Sequence, residues 1–289
     1  MPKISSPFRY PGGKSQLYPY IKHLLEINNI NGTYIEPFAG GAGVAIDLLL
    51  HGDVKQIVIN DYDKSIFSAW NVIINHSDEL IEFLKTIPVT YDEWINQKRI
   101  HEETKSDSTS INGGLATFYL NRTNVSGIIK GGPIGGKKQT GKYKIDARFN
   151  RKKLIEKVQI ISRYKEKIIL MDKDANELTS IIKDNYNSKN TFIFFDPPYF
   201  AQGKNLYLSF IDSSEHLKLF NNIKKMNDFS WIVTYDTADE IKEIYNSVNQ
   251  KFIYSLNYTA NNRRKAQEFL FTNSNLKIES YKNIELIQL

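Results

Sequence analysis

The sequence contains no cysteine, which excludes disulfides, thiolate metal ligands and cysteine nucleophiles together. Its five histidines are scattered and show no metal-ligand spacing, so no metal site is predicted. No apolar run approaches the ~18 residues that a membrane span requires. The first residues, MPKISSPFRYPGGK, lack the apolar core of a secretory signal. We therefore expect a metal-independent, cytoplasmic protein with no membrane segment.

Basic residues concentrate in one part of the chain. Residues 130–167 contain 13 Lys and Arg against 3 Asp and Glu, a local charge of +10. The whole chain carries +6, so the remainder carries −4. A clustered basic segment is typical of a nucleic-acid-binding surface. A solvated, lysine-rich face is the alternative.

Short apolar segments alternate with helical patterns along most of the chain. Strands are predicted at 33–36, 55–60, 168–170, 191–195 and 230–235, and helices at 44–50 and about 62–75. Such alternation indicates a parallel sheet covered by helices on both faces. Residues 251–260 and 267–273 have no helix-length segment between them, so we expect an antiparallel hairpin at the edge of the sheet.

Residues 85–167 interrupt this alternation. The segment is polar, contains the glycine-rich stretch GIIKGGPIGGKKQTGKYK, and ends in a basic helical pattern, RKKLIEKVQIISRYK. We predict an inserted module with mobile or hairpin-like connections. A chain of 289 residues has room for about two domains. We expect a discontinuous α/β domain, residues 1–84 and 168–289, interrupted by the insert, residues 85–167.

A glycine-rich turn follows the first predicted strand, in YIEPFAGGAG (34–43). Glu36 ends the strand, and the glycines allow a ligand to approach the backbone at the start of a helix. Asp61 ends the next strand, where an acid commonly accepts hydrogen bonds from ribose hydroxyls. The third small residue of a dinucleotide fingerprint is missing. The acid suits a nucleoside with a free amino group, such as S-adenosylmethionine, better than a pyrophosphate; a purely structural turn is the alternative.

The stretch FIFFDPPYF (192–200) ends an apolar strand in an acid, two prolines and an aromatic. Each proline fixes its own φ and extends the residue before it, and neither offers an N–H. We expect the Asp196 carboxylate and the Pro197 carbonyl to point into one pocket as two acceptors, with the Tyr199 ring beside them. Simple termination of the strand by proline is the alternative.

Two acceptors beside an aromatic ring suit the exocyclic amine of a planar base. The N6 lone pair of adenine is delocalised into its ring, and accepting both N6 hydrogens localises that lone pair. A methyl sulfonium held in line at roughly 3–3.5 Å is then open to direct attack without a metal. Stacking on Tyr199, worth about 1–3 kcal/mol, helps to hold a nucleotide that is turned out of its duplex.

Several motifs together resemble those of the Dam-type DNA adenine-N6 methyltransferases, class α. PFRYPGGK (7–14) is similar to the family's N-terminal cofactor motif, EPFAGGAG (36–43) to its glycine-rich motif, NDYD (60–63) to its ribose-binding motif and DPPY (196–199) to its catalytic motif. TANNRRKAQEFLF (259–271) is similar to the family's basic loop and following strand. The resemblance implies a Rossmann-like S-adenosylmethionine-dependent methyltransferase fold with a smaller inserted DNA-recognition domain.

The resemblance also implies roles for individual residues. Asp196, Pro197 and Tyr199 would be catalytic. The implied cofactor-binding residues are Tyr10, Lys14, Glu36, Phe38, Gly40, Asp61, Asp174 and Asp196. A surface lysine is the alternative interpretation of Lys14, and a core residue is the alternative for Phe38.

The implied contacts with double-stranded DNA lie mostly in the insert. FYLNRTNVSG (118–127) is similar to the family's region near the target base, although Thr123 and Val125 stand where an aromatic is often found. The candidates, which would touch phosphates or read a guanine, are Asn121, Arg122, Lys137, Lys138, Lys142, Arg148, Arg263 and Arg264. A solvated loop is the alternative for the last two, and a GATC-type target is an expectation at the level of the family.

Other functions fit parts of the same pattern. Related proline-rich motifs occur in RNA methyltransferases directed at adenine or guanine and in protein glutamine methyltransferases. A non-catalytic DNA-binding module and an NAD-dependent oxidoreductase are further alternatives. The N-terminal motif and the basic insert favour DNA. We also expect nucleoid association through DNA, a cognate restriction endonuclease as a partner, and action as a monomer or weak dimer.

Overall fold

The computed structural model describes residues 6–9, 14–200, 213–258 and 264–289, except for the side chains of residues 257, 258, 264 and 265. Within this part of the chain the strands form one eight-stranded sheet. They are β1 (Thr33–Glu36), β2 (Gln56–Asn60), β3 (Ile168–Met171), β4 (Thr191–Phe195), β5 (Ser230–Asp236), β6 (Gln250–Tyr258), β7 (Arg264–Thr272) and β8 (Ile287–Gln288). The first five lie within one residue of their predicted bounds, so those predictions are confirmed.

The helices in the described residues are α1 (Tyr18–Ile27), α2 (Gly43–Leu50), α3 (Lys64–Ile74), α4 (Ser77–Thr86), α5 (Tyr91–Thr104), α6 (Ile111–Thr123), α7 (Arg151–Ser162), α8 (Ala175–Asn185), α9 (Ser213–Lys224) and α10 (Asp239–Ile244). Several begin at side-chain caps that the sequence supplies, such as Asp63 before α3 and Ser110 before α6. The helices predicted at 44–50 and 62–75 are confirmed as α2 and α3. None of the described helices is both long and apolar enough to span a membrane.

The strand order is β3-β2-β1-β4-β5-β7-β6-β8. The first five strands are parallel, and β7 lies antiparallel between β5 and β6. The antiparallel hairpin predicted near the end of the chain is therefore confirmed. It does not itself form the edge, however, because the short strand β8 pairs with β6 beyond it.

Apolar side chains cover both faces of the parallel sheet. Alternate residues of one strand point to opposite faces, so Tyr34 packs with α1, α2 and α3 while Ile35 packs with α8, α9 and α10. Both of these side chains are fully buried. Burial of both faces explains why the strands read as continuous apolar runs rather than as alternating ones.

The segment at residues 85–167 contains α5, α6 and α7; α6 and α7 pack on α3 and α4, and α5 packs on α6. Phe118 of α6 lies in the same hydrophobic cluster as Trp70 of α3. The Arg151 guanidinium donates hydrogen bonds to the carbonyls of Leu84 and Ile87 at the end of α4. The insert therefore shares apolar core with the sheet domain; the division into two domains at residues 85 and 167 stays a prediction.

Candidate active site

Acidic side chains collect where the parallel strands end. Glu36 is the last residue of β1, Asp61 follows β2, and Asp196 follows β4. The carboxyl ends of parallel strands share one edge of a sheet, and in this sheet the strand order reverses between β1 and β4. Ligands of open α/β sheets bind at such a reversal. This edge is therefore the candidate active site.

The turn between β1 and α2 has a backbone conformation that few residues tolerate. Gly40 has a φ of +46° and Ala42 a φ of +44°. The Gly40 N–H donates to Asp61 Oδ2 at 2.9 Å, and the Gly40 carbonyl accepts a hydrogen bond from Trp70 Nε1 at 2.8 Å. Left-handed residues held by their surroundings in this way are typical of binding sites. The predicted glycine turn is thus locked to the acid of the next strand.

Asp61 is held by backbone groups on both carboxylate oxygens. In addition to the Gly40 contact, its Oδ1 accepts a hydrogen bond from the Asp63 N–H at 3.0 Å. Burial, together with the neighbouring Asp63 carboxylate, raises the pKa of Asp61 to about 7. The fully buried Asn60 supports the same turn by donating to the Pro37 carbonyl at 2.9 Å. Asp61 is therefore a rigid acceptor that titrates near neutral pH.

Glu36 lies deeper in the sheet edge and is 6% exposed. Its Oε1 accepts hydrogen bonds from the Tyr34 hydroxyl and from the Ala45 N–H, both at 3.1 Å. Burial raises the pKa of Glu36 to about 8, since these hydrogen bonds only partly offset the loss of water. The contact with Ala45, in the first turn of α2, fixes the strand against the helix that follows it.

Lys14 and Asp196 form a buried ion pair. Lys14 Nζ lies 3.2 Å from Asp196 Oδ1, and the Lys14 side chain is 4% exposed. The same oxygen accepts a hydrogen bond from the Thr234 hydroxyl at 2.7 Å. Burial raises the pKa of Asp196, although Lys14 acts in the opposite direction. Lys14 is therefore not a surface lysine, and it pairs with the acid of the DPPY stretch.

Glu268 is a member of this cluster that the sequence predictions missed. Its Oε1 lies 3.1 Å from Lys14 Nζ and accepts a hydrogen bond from the Tyr199 hydroxyl, while its Oε2 accepts one from Tyr254. Lys14 also donates to the Tyr199 hydroxyl, and Lys14 Nζ lies 4.7 Å from the centre of the Tyr199 ring. An acid in the middle of the apolar strand QEFLFT was the available signal, because a buried acid requires partners.

The other predicted cofactor residues lie around the same edge or outside the described residues. Phe38 follows β1 and is partly buried against the hydrophobic cluster that contains α8, α9 and α10. This placement fits the alternative interpretation of Phe38 as a core residue. Asp174 caps α8 by accepting a hydrogen bond from the Asn176 N–H at 2.8 Å. Tyr10 falls outside the described residues.

Asn121 is placed differently from the DNA contact that was predicted. The residue is 1% exposed. Its Oδ1 accepts a hydrogen bond from the Arg9 N–H at 2.9 Å, and its Nδ2 donates to the carbonyls of Arg9 and Gly127 at 2.7 and 3.0 Å. With its amide committed to three backbone groups, Asn121 fits a structural role better than contact with DNA.

Arg122 is also engaged within the protein. Its guanidinium donates to the carbonyls of Arg148 and Pro7, with an Nε distance of 3.0 Å to the former. Burial and the nearby Arg9 and Arg148 lower the pKa of Arg122 to about 10. These contacts tie the insert to the N-terminal segment, and they leave the exposed Arg148 side chain as the better candidate for DNA.

The glycine-rich stretch of the insert forms an ordered turn with an exposed basic surface. Gly135 and Gly136 have φ values of +87° and +72°, and Gln139 Nε2 bonds to the carbonyls of Ile134 and Gly136 at 2.8 and 2.7 Å. The predicted DNA contacts on this surface, all exposed, are Lys137, Lys138, Lys142 and Arg148. Lys142 and Arg148 both lie within 6 Å of the ring of Tyr143, which is 58% exposed. Arg263 and the side chain of Arg264 fall outside the described residues.

Comparison with known proteins gives one family. Residues 10–282 match the family described as D12 class N6 adenine-specific DNA methyltransferases. The chain is 27% identical over 204 residues to the Type II methyltransferase M.MjaIII of Methanocaldococcus jannaschii, which covers 66% of this chain and 68% of that protein. It is 24% identical over 217 residues to the Type II methyltransferase M.CviBI of Paramecium bursaria Chlorella virus NC1A, covering 74% and 76%.

A solved structure resembles the chain more distantly. The rRNA methyltransferase aviRa of Streptomyces viridochromogenes aligns with 92% of this chain and 88% of its own, with 10% identity and a TM-score of 0.38. A similarity of that size supports no conclusion about substrate. The family match and the parallel sheet with helices on both faces confirm the predicted Rossmann-like methyltransferase fold.

Proposed function

The chain belongs to the D12 class of N6 adenine-specific DNA methyltransferases, and we propose that Asp196, Pro197 and Tyr199 hold the adenine that it methylates. The family and the two curated relatives favour DNA over the RNA alternative. The observation that carries the proposed roles is the buried Lys14–Asp196 pair at the strand-order reversal. The finer assignment, to the Dam-type class α enzymes, is supported by the order of the motifs along the sequence.

Asp196 and Pro197 act on the target amine as hydrogen-bond acceptors. Within the described residues, the contacts of Asp196 with Lys14 and Thr234 fall on Oδ1, and Oδ2 is the oxygen proposed to accept from the amine. Within the described part of the chain, no donor is bonded to the Pro197 carbonyl. Acceptance of both N6 hydrogens localises the nitrogen lone pair and turns a weak nucleophile into a competent one. Positioning is the larger part of this effect, because the acceptors are fixed before the base arrives.

Tyr199 supplies a flat surface for the base beside these acceptors. Its hydroxyl is anchored by Lys14 and Glu268, so the ring is held at the lip of the site. Stacking on such a ring is worth about 1–3 kcal/mol per base and tolerates any sequence. A fixed ring therefore helps to retain an adenine turned out of the duplex.

The edge of the sheet fits S-adenosylmethionine. Asp61 presents a fixed acceptor to ribose hydroxyls, and Glu36, Asp61 and Asp196 bring polar groups together at this edge. The locked turn at Gly40 lets a ligand approach the backbone closely. When bound, S-adenosylmethionine supplies a methyl group already activated by a sulfonium charge. Asp61 and the Gly40 turn would hold its nucleoside, with Phe38 packed beside it.

Cofactor affinity is expected to depend on pH through Asp61. Its pKa is raised to about 7, and only the ionised form accepts hydrogen bonds on both oxygens. Binding of S-adenosylmethionine, measured by calorimetry, should weaken about tenfold from about pH 8 to about pH 6. Asp61→Asn should bind weakly at both values, whereas Asp184→Asn, at an exposed acid of α8, should keep the pH dependence. A pH dependence that persists in Asp61→Asn would contradict the assignment.

The exposed basic surface of the insert is proposed to bind the DNA backbone. Lys142 and Arg148 lie within 6 Å of the exposed Tyr143 ring, and the exposed Lys137 and Lys138 belong to the same glycine-rich stretch. Part of the +10 charge of the segment does not belong to this surface. Arg151 and Lys157 are used inside the protein, the first by donating to the carbonyls of Leu84 and Ile87 and the second by donating to the Ser6 carbonyl at 3.1 Å.

Loss of one of these lysines is expected to change the salt dependence of DNA binding. Lys137→Ala should weaken binding to all duplex sequences alike and reduce the slope of log affinity against log salt by about 1. Fluorescence anisotropy at several salt concentrations measures both quantities. Lys189→Ala is the matched control. That exposed lysine comes just before β4, at the amino ends of the parallel strands, whereas the candidate active site lies at their carboxyl ends. A loss confined to one base pair would instead identify Lys137 as a base reader.

The biological setting is also a proposal. Both curated relatives are named Type II methyltransferases, and we carry this over as action beside a cognate restriction endonuclease. Mapping N6-methyladenine in DNA from a methylation-free host that expresses the chain tests the activity and reveals the target sequence, GATC or another. The proposed location is the cytoplasm, on nucleoid DNA. The chain is proposed to act as a monomer or weak dimer, and sedimentation with and without duplex DNA measures this oligomeric state.

A further inference from the structure

We propose that Glu268 of β7 is a positioning residue for methyl transfer, which holds Lys14 and Tyr199 in place beside Asp196 and takes a share of the lysine charge. The proposal rests on the proposed role of Asp196. It extends that role to a residue outside the DPPY motif and 72 positions further along the chain.

Glu268 is placed for this role by the antiparallel part of the sheet. In the strand register it lies opposite Asp236 of β5 and Tyr254 of β6. The residue is 1% exposed, so its carboxylate must be satisfied by protein groups. Lys14, Tyr199 and Tyr254 provide three donors. A carboxylate that accepts three donors is a fixed point from which the side chains around it are oriented.

The contacts of Glu268 set the position of Tyr199. The Tyr199 hydroxyl donates to Glu268 Oε1 and accepts from Lys14 Nζ, so both of its roles are taken by this pair. A change in the Cα–Cβ torsion of Tyr199 would break both hydrogen bonds. The ring proposed to stack on adenine is therefore held by Glu268 rather than by the rigid prolines alone.

Glu268 also divides the charge of Lys14. Lys14 Nζ is nearly equidistant from Asp196 Oδ1, at 3.2 Å, and Glu268 Oε1, at 3.1 Å. One cation between two buried acids compensates each of them only in part. Asp196 therefore remains a stronger acceptor towards the amine than it would be if Lys14 belonged to it alone. A purely structural ion pair would not need the second acid.

Other titratable groups also face Asp196. Glu36 and Tyr34 approach from β1, Tyr235 from β5, Lys14 from the N-terminal turn and Glu268 from β7. Among these, Glu268 raises the pKa of Asp196 and Lys14 lowers it. Removing the charge of Glu268 alone should therefore favour the ionised form of Asp196 and extend activity to lower pH.

The test compares Glu268→Gln with Tyr254→Phe in the full chain. Glutamine keeps the size and one acceptor of the side chain but removes its charge, whereas Tyr254→Phe removes a different partner of Glu268 and leaves the charge intact. Steady-state kinetics with S-adenosylmethionine and unmethylated genomic DNA give kcat, KM for DNA and the pH profile. For Glu268→Gln we expect kcat to fall roughly 10–100-fold, KM to be unchanged, and the acid limb of the kcat profile to move to lower pH. Tyr254→Phe should keep the acid limb where the wild type has it.

Two outcomes would overturn the proposal: an unchanged kcat in Glu268→Gln, or a reduced kcat with the acid limb in its wild-type position. If Glu268→Gln does not fold, Glu268→Asp replaces it, since it keeps the charge and shortens the reach. A lower kcat with an unmoved acid limb then supports the proposal, and a wild-type kcat contradicts it. Failure of the proposed function itself is distinguishable, because the wild type would then transfer no methyl groups.

Discussion

Asp196→Ala is expected to abolish methyl transfer while leaving the fold and duplex binding largely intact. The variant loses the carboxylate that accepts from the target amine, and the loss of one pre-oriented electrostatic partner commonly costs about 10²–10³-fold in kcat. The fold should survive, because Lys14 keeps Glu268 as its partner at 3.1 Å. The buried cation is then neutralised by one acid instead of being shared by two.

The measurement is single-base mapping of N6-methyladenine in DNA from a methylation-free host, with duplex affinity measured on the purified protein. Asp184→Asn is the control, since that exposed acid on α8 has no place in the site. Methyladenine at one recurring sequence should appear with the wild type and the control, and disappear with Asp196→Ala. Normal turnover in Asp196→Ala would contradict the mechanism.

Lys14→Met is expected to cost more stability than any surface charge substitution. The side chain is 4% exposed and lies between Asp196 and Glu268. Breaking a buried ion pair by removing one partner typically costs about 3–5 kcal/mol, because a charge is left uncompensated. Methionine fills much of the volume, so the loss should come mainly from electrostatics. Activity should fall as well, since Tyr199 loses a donor and Asp196 loses its anchor.

The pH dependence of this destabilisation has a definite sign. Without Lys14, burial and the Glu268 charge raise the pKa of Asp196 further above that of an unfolded aspartate. The folded state then holds a proton that the unfolded state releases, so the variant loses stability as pH rises through that interval. Urea unfolding should show that the free energy of unfolding of Lys14→Met falls below that of the wild type by less at about pH 5 than at about pH 8. An equal deficit at both values would contradict the explanation.

Lys85→Met is the matched control for this substitution. Lys85 is also ion-paired, with Glu82, but the two side chains are 57% and 65% exposed. Exposed pairs are worth about 0–1 kcal/mol, so this variant should stay close to the wild type at either pH. A large loss in Lys85→Met would show that methionine at a paired lysine is destabilising for reasons other than burial of charge.

Much of the sheet could be predicted from the sequence because each parallel strand is short, apolar and followed by a helical pattern. The segments TYIE and TFIFF become β1 and β4 with the predicted bounds. The insert was harder to predict. Its helix α6 carries two glycines at 113 and 114, which disfavour a helix by propensity, yet Gly114 lies so close to α3 that a Cβ would come within 2.5 Å of the Ser68 carbonyl. Packing against a neighbouring helix decided that element.

The candidate site, like the fold, could be predicted only in part. Acids such as Glu36, Asp61 and Asp196 were found because they follow strands or belong to motifs whose spacing is local. Asn121 and Arg122 were predicted to contact DNA because FYLNRTNVSG (118–127) is similar to the family's region near the target base. Their partners, Arg9 and Pro7, are more than 100 residues away in sequence. A sequence pattern does not show which polar side chains are consumed by such distant backbone groups.

The sequence by itself determined the fold class, the family motifs and the acids at the carboxyl ends of the strands, because these depend on local periodicity and on short motifs. Only the tertiary structure decided which of those groups meet. Lys14, Asp196 and Glu268 come from three distant parts of the chain and share one buried charge. Their meeting depends on strand order and register, with β4 and β7 on either side of β5. No local pattern encodes that placement, since it follows from the packing of the whole sheet.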